Sequence, residues 1–229
     1  MTRTLSIDIW SDVMCPWCII GYKQLETALA ELADEVAAEI RWRPFELNPD
    51  MPPEGEDQAE HVQRKYGRSP EQAAAGRAQM AEIAERAGYS FDYAGEGEPP
   101  PSRLWNTFAA HKLLTHTLRA HGAEAQTRLE LALFDAHFQQ RRDMADEGVL
   151  AAIYESIGLP RHEAEVAIAD PVLGELVRAE EARAWDMNIT GVPAMVVNGK
   201  YLIPGAQEPD TYASAIRRVL EKEAQAAVS

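Results

Sequence analysis

The chain has 229 residues, 46% hydrophobic and 26% charged, with 22 Lys and Arg against 37 Asp and Glu and a formal net charge of −15. This is globular composition with enough length for one large domain or two small ones, and so acidic a surface argues against nucleic acid and anionic membranes as partners. The start Met1-Thr2-Arg3-Thr4-Leu5-Ser6-Ile7-Asp8 lacks the apolar run of a secretory signal, and no stretch approaches a membrane span, so the chain taken as complete is expected in the cytoplasm.

Leu5-Ser6-Ile7-Asp8-Ile9-Trp10 alternates in character and predicts a strand ending just before two cysteines. Pro16 suits the first position of a helix, with Ile19, Ile20, Tyr22, Leu25, Leu29 and Leu32 as its apolar face to about residue 33. A second strand is expected at about 38 to 46, around Ile40, Trp42 and Phe45, which completes a strand-helix-strand unit. The turn-rich stretch 48–55 then opens a region that reads as helix almost to residue 185. Within it, Ser69-Pro70-Glu71-Gln72 predicts a capped helix start, with Gly88 at the far end. After a second loop at 95–101, Leu104, Phe108, His111 and Leu118 mark a helix ending near Gly122. Residues 124–139 read as a central helix, apolar on more than one side. Val149, Leu150, Ile153, Tyr154 and Ile157 share another helical face, and Asp170-Pro171 starts a helix running to about Met187. Strand signals return in Ala194-Met195-Val196-Val197 and Lys200-Tyr201-Leu202-Ile203, joined by the hairpin dipeptide Asn198-Gly199. A last helix is expected from Asp210 or Thr211 to about Glu223. The order predicts an α/β fold, a small mixed sheet with a large helical insertion. Residues 1-46 plus 188-229 would form the sheet domain and 47-187 the inserted helical domain.

The cysteines are Cys15 and Cys18, in Cys15-Pro16-Trp17-Cys18. A disulfide stabilises mainly by closing a long loop in the unfolded chain, so this pair is a poor staple. Structural zinc takes four ligands and the pair supplies two, which would require a site shared between subunits. Packed thiols with no role are the plain alternative. Redox exchange fits the spacing better. The thiolate is the attacking species, and Cys15 at a helix start faces unpaired N–H groups and the positive end of the helix dipole. Cys18, one turn inward, can resolve the mixed disulfide. Pro16 and Trp17 carry no charge, which predicts a pair less oxidising than one with an intervening cation, with a potential below about −120 mV.

Cys15-Pro16-Trp17-Cys18 after a strand, with Thr190-Gly191-Val192-Pro193 before another, resembles the thioredoxin superfamily. The helical insertion resembles its DsbA-like branch, whose members place an all-helical insertion in the thioredoxin fold. Ser11 to Cys18, Phe45-Glu46-Leu47-Asn48-Pro49 and Val192 to Gly199 are most similar to FrnE-like proteins in that branch. Asn106 to His111, Leu133 to Asp146 and Pro204-Gly205-Ala206-Gln207 extend the likeness over nearly the whole chain. The resemblance implies a thiol-disulfide oxidoreductase or isomerase acting on protein or peptide disulfides, with no cofactor beyond the Cys15–Cys18 pair. It also implies a cis Val192-Pro193 peptide facing the cysteines, where Val192 offers its backbone to an extended substrate peptide.

With no further cysteine, the pair depends on an external redox partner, glutathione among the candidates. The serine that replaces the first cysteine in kappa-class glutathione transferases and chromene-carboxylate isomerases is absent, which weighs against glutathione-dependent isomerisation; a glutathione-dependent small-molecule reductase or isomerase is the second enzyme reading. A chaperone-like or metal-bridged binding module is the non-enzyme alternative. Cytoplasmic residence favours reduction or isomerisation over net oxidation.

Asp12, three residues before Cys15, and Asp8 on the first strand are candidates to accept the Cys18 proton. A solvated loop or capping residue is the plain reading of Asp12. Trp17 and Met14 flank the first thiol and are expected to form an apolar rim for substrate side chains. His111, His116, His121 and His137 show no metal-ligand rhythm, so no metal is expected. His111, on an apolar stripe, reads as core, as do Trp10, Trp42, Trp105 and Trp185.

Overall fold

Strand β1 (Arg3–Ser11) turns Leu5, Ile7 and Ile9 to one buried face and Asp8 and Trp10 to the other. In the computed structural model, which describes residues 2–52, 54–67 and 69–226, helix α1 (Pro16–Glu31) connects β1 to β2 (Val36–Pro44). The two strands pair in parallel from Arg3↔Val36 to Ser11↔Pro44. Strand β2 therefore starts two residues before its expected position, because Val36 already pairs with the first residue of β1.

The long insertion follows. Strand β3 (Glu56–Asp57) leads into helices α2 (Gln58–Tyr66) and α3 (Pro70–Arg86). Strand β4 (Arg103–Leu104) precedes α4 (Phe108–Phe134), which continues as a π-helical turn over Asp135–Gln139. Helices α5 (Glu147–Ser156), α6 (Arg161–Ala169) and α7 (Pro171–Asp186) complete it. The chain then returns through β5 (Ala194–Val197), β6 (Tyr201–Pro204) and α8 (Pro209–Ala226). The sheet has the order β2-β1-β5-β6, with β5 antiparallel to both of its neighbours. The architecture is the expected thioredoxin-like sheet with a helical insertion.

Helices α1 and α8 cover one sheet face, where Leu25, Ala28, Ile216 and Leu220 join Ile7, Ile9, Met195 and Val197. On the other face Trp10, Ala194 and Val196 pack with Phe45, Ala184 and Ile189, so α7 lies over it. Burial on both faces accounts for the continuous apolar run of β5. A separate core inside the insertion unites Leu113, Leu129, Leu133, Leu150, Tyr154 and Leu173, and Val13 and Met14 reach into it from the loop after β1.

Strand β2 is a sheet edge, and α4 occupies it. The side chain of Gln126 accepts from Trp42 N (2.9 Å) and donates to Trp42 O (2.9 Å), pairing the edge as a neighbouring strand would.

The capping box at Ser69 and Gln72 forms, and Asp170 accepts from Val172 N (2.8 Å) at the start of α7. Asn198 and Gly199 take positive φ of 50° and 64° in the hairpin turn. The expected break near Gly122 is present: α4 leaves helical geometry there, at φ 85° and ψ 177°. Two expectations need correction. Leu104 belongs to a two-residue ribbon with Glu56, and the helix starts only at Phe108, whose N–H donates to Asn106 Oδ1 (3.0 Å). Helices α2 and α6 and the ribbon carried no separate signal within the generally helical stretch. Trp185 is exposed, leaning on Phe45 with ring centroids 5.8 Å apart. No described helix is long and apolar enough to cross a membrane.

Candidate active site

Between β1 and α1 the chain turns within Asp12-Val13-Met14-Cys15, closed by Cys15 N donating to Asp12 O (2.8 Å). Cys15 is the N-cap of α1, in extended conformation, and Pro16 takes the first turn where its missing N–H leaves no bond unmade. The Cys15 side chain makes no capping hydrogen bond, so its sulfur is left for other partners. Both cysteines are free thiols, Cys15 3% exposed and Cys18 fully buried. Cys18 N donates to Cys15 O (3.0 Å), and the two thiols act on each other electrostatically.

Val192 and Pro193, 177 positions further along, meet the first thiol. The Val192-Pro193 peptide is cis, and Cys15 Sγ donates to the Val192 carbonyl at 3.7 Å. Gly21 permits this approach. A Cβ there would stand 3.1 Å from Pro193 Cγ and 3.3 Å from the Ala206 backbone. The structure thus brings Cys15, Pro16, Cys18, Val192 and Pro193 together.

The two flanking residues part company. Trp17 is 41% exposed beside the thiol, whereas Met14 is buried in the insertion core with Val13, Leu113 and Leu133. Met14 pins the redox loop to the insertion and does not form a rim. Asp8 is taken by ion pairs to Arg41 Nε (3.0 Å) and Arg43 Nε (2.9 Å).

Asp12 is neither solvated nor loose. It is buried, accepts from Met14 N (3.1 Å) and Leu47 N (2.7 Å), and is stabilised in its charged form by Thr107 at the start of α4 as well. Burial outweighs these donors and pushes its carboxyl up to about 6. His111 is core, as expected, but its Nε2 has no hydrogen-bond partner among the described residues and stands 4.0 Å from Asp12 Oδ1. Desolvation drives that imidazole down to about 3.

The sequence reading missed Ser11 and Glu130. The Ser11 hydroxyl donates to Glu130 Oε1 (2.8 Å) and also acts electrostatically on the Cys18 thiol, so one side chain bears on both the buried thiol and a buried carboxyl. Glu130 is fully buried, its second oxygen unpartnered among the described residues, and desolvation raises it to about 8. Burial first, and then the Cys15 sulfur beside it, push the Cys18 thiol well above its ordinary range. Glu46 completes the acidic layer. Burial and Glu181 raise it to about 7 against the opposing Arg178 guanidinium. A signal for Glu130 existed, since Leu129-Glu130-Leu131 puts an ionisable residue into a helix that is otherwise apolar on several sides.

A family model for the DSBA-like thioredoxin domain matches residues 6–217. A crystal structure of a probable DsbA oxidoreductase from Streptomyces coelicolor superimposes with a TM-score of 0.84 at 30% identity, covering 95% of this chain and 90% of that one. A cytosolic disulfide reductase, DsbM, from Pseudomonas aeruginosa shares the fold with a TM-score of 0.63 at 18% identity, over 94% and 98% of the two chains. The Bacillus subtilis protein YwbO is 25% identical over 214 residues, 93% of this chain and 96% of its own length.

Proposed function

The chain belongs to the DSBA-like thioredoxin domain family of thiol-disulfide oxidoreductases, and from that premise we propose that it reduces or isomerises disulfides of proteins or peptides, with Cys15 as nucleophile and Cys18 as resolver. The observation that carries this is the Cys15 thiol at the start of α1, against the carbonyl of Val192 beside the cis proline. That carbonyl already accepts from a sulfur, and an extended substrate strand laid along Val192 would bring its own sulfur to the same place. Trp17 is the exposed apolar side chain at its edge.

The cycle balances as follows. The Cys15 thiolate attacks one sulfur of the substrate disulfide, forming a mixed disulfide. The other substrate sulfur leaves as a thiolate and takes a proton. Cys18 then surrenders its proton through Ser11 to Glu130 and attacks Cys15, which releases the second substrate sulfur as a thiolate that takes up a proton in turn. The substrate gains two electrons, and Cys15–Cys18 is left oxidised until an external thiol reductant restores it. Glutathione is one such reductant, and a compartment that keeps thiols reduced, the cytoplasm in this reading, makes reduction or isomerisation the net direction. Within the family we place the chain among FrnE-like proteins, on Ser11 to Cys18, Phe45 to Pro49 and Val192 to Gly199.

Insulin reduction with a thiol reductant tests the core of this. Wild type is expected to accelerate turbidity, Cys15→Ser to abolish the acceleration, and Cys18→Ser to accumulate a mixed disulfide visible by mass. Full activity in Cys15→Ser would overturn the assignment.

A further inference from the structure

Away from the thiols, α4 and α6 bring His116, His121 and Glu163 to one place. Nε2 of His121 lies 2.7 Å from Glu163 Oε2, and Nε2 of His116 lies 3.9 Å from that same oxygen. The three candidate ligand atoms all fall within 4.8 Å of one another. On a regular helix, residues five apart point about 140° apart, so nothing in their spacing advertises the pair. His121 ends the first helical run of α4, directly before the break at Gly122, and both rings turn to the one carboxylate. Neither imidazole is deeply buried, at 26% and 25% side-chain exposure, and Glu163 is at 31%, so an ion could enter from solvent.

Two further observations favour a ligand. His116 Nε2 is shielded from water, with no hydrogen-bond partner among the described residues. Tyr154 backs the group: its ring centroid lies 6.4 Å from that of His116 and 6.3 Å from that of His121, and its hydroxyl is 3.3 Å from Glu163 Oε2. Such a partner fixes a ligating carboxylate in the way outer-shell groups do around metals.

We propose that His116, His121 and Glu163 form a binding site for a divalent transition-metal ion. Two imidazoles and one carboxylate suit Zn²⁺ and its borderline neighbours and do not suit Mg²⁺ or Ca²⁺, which want oxygen ligands. Three protein ligands leave a fourth tetrahedral position to water. A metal here ties α4 to α6, and so braces the helix whose second run carries Gln126 and Glu130. The site is independent of the redox reading.

The test uses the full chain with Cys15 and Cys18 oxidised to their disulfide, so that no thiolate competes for metal. Calorimetric titration with Zn²⁺ is expected to give one ion per chain, and Zn²⁺ at about a hundredfold excess over Kd to raise Tm by about 5 °C or more. His116→Ala and Glu163→Gln should each weaken binding at least tenfold, while His162→Ala, exposed on α6, should bind as wild type. If His116→Ala fails to fold, as judged by circular dichroism, His121→Gln at the more open edge decides the matter. Absence of a Zn²⁺ isotherm, or an unchanged one in the folded ligand variants, overturns the site.

Discussion

A carboxyl group kept from water ionises late, and Glu130 is sealed inside α4 with only the Ser11 hydroxyl on one oxygen. If that pair takes the Cys18 proton, the rate of resolution should rise with pH through about 8, where Glu130 ionises. Glu130→Gln should lose this inflection and slow the resolving step about 100-fold, read as decay of the mixed disulfide in stopped flow across pH 6 to 10. Ser11→Ala should slow it in the same direction. A variant profile that overlays wild type would show that Glu130 moves no proton. Asp12 makes a contrasting prediction. Its two oxygens accept from Met14 N and Leu47 N, and Asp12→Asn would turn an amide N–H₂ towards one of these donors. A loss of about 1–3 kcal/mol in urea unfolding is expected, with thiol chemistry in the folded protein little changed.

Two devices in α4 join the insertion to the sheet. Gln126 satisfies both backbone groups of Trp42, so Gln126→Ala leaves a buried N–H and a buried carbonyl unpaired. With about 1–3 kcal/mol for each stranded group, the urea midpoint should fall substantially, and amide exchange along β2 should quicken. Gly122 stands at φ 85° and ψ 177°, a region open in practice only to glycine. Gly122→Ala should cost about 1–3 kcal/mol, measured by thermal unfolding. Such a change also moves the end of the helical run that carries His121. In α1, Gly21 shows the same economy of space. Without a Cβ the helix closes on Pro193, and the two halves of the redox site meet.

Buried ionisable groups also set how the whole chain responds to pH. Glu130, Glu46 and Asp12 have folded values of about 8, 7 and 6 against ordinary values of 4.5, 4.5 and 3.8. Above pH 4 the unfolded chain releases protons that the fold still holds, so these groups lower stability progressively as pH rises to about 8. His111 and His137 work the other way. Both sit near 3 when folded against 6.5 when free, so the unfolded chain takes up protons first and stability falls as pH drops from 6.5 towards 3. A buried group whose pKa moves by one on folding changes stability by on the order of 1.4 kcal/mol. From these five groups stability is therefore expected to peak near about pH 4.5, where the three carboxyls come to outweigh the two imidazoles, and to decline on both sides, as urea midpoints from about pH 3 to 9 would show. Glu130→Gln should flatten the alkaline limb, and His137→Gln the acid one.

Local signals were sufficient for the elements that build the sheet and open the site. Alternation in Leu5 to Trp10, Pro16 at a helix start, the Asn198-Gly199 turn and the Ser69 and Asp170 caps act between near neighbours, and a sequence displays neighbours directly. The Cys15–Cys18 spacing belongs with them. Other features depend on segments far apart in the chain. The two-residue ribbon at Leu104 draws its partner from Glu56. Met14 is buried because α4 lies over it, and Trp185 is exposed because the surface of α7 faces water at that point. The Ser11–Glu130 link spans 119 positions and the Cys15–Val192 contact 177. The spacing of His116 and His121 gives no hint of Glu163 on another helix. The redox pair and the order of strands and helices were legible from residue order alone, because short-range hydrogen bonding and hydrophobic period decide them. Which carboxyls are dry, and which groups the thiols and imidazoles face, emerged only in the folded chain, because burial and proximity are made by packing between distant segments.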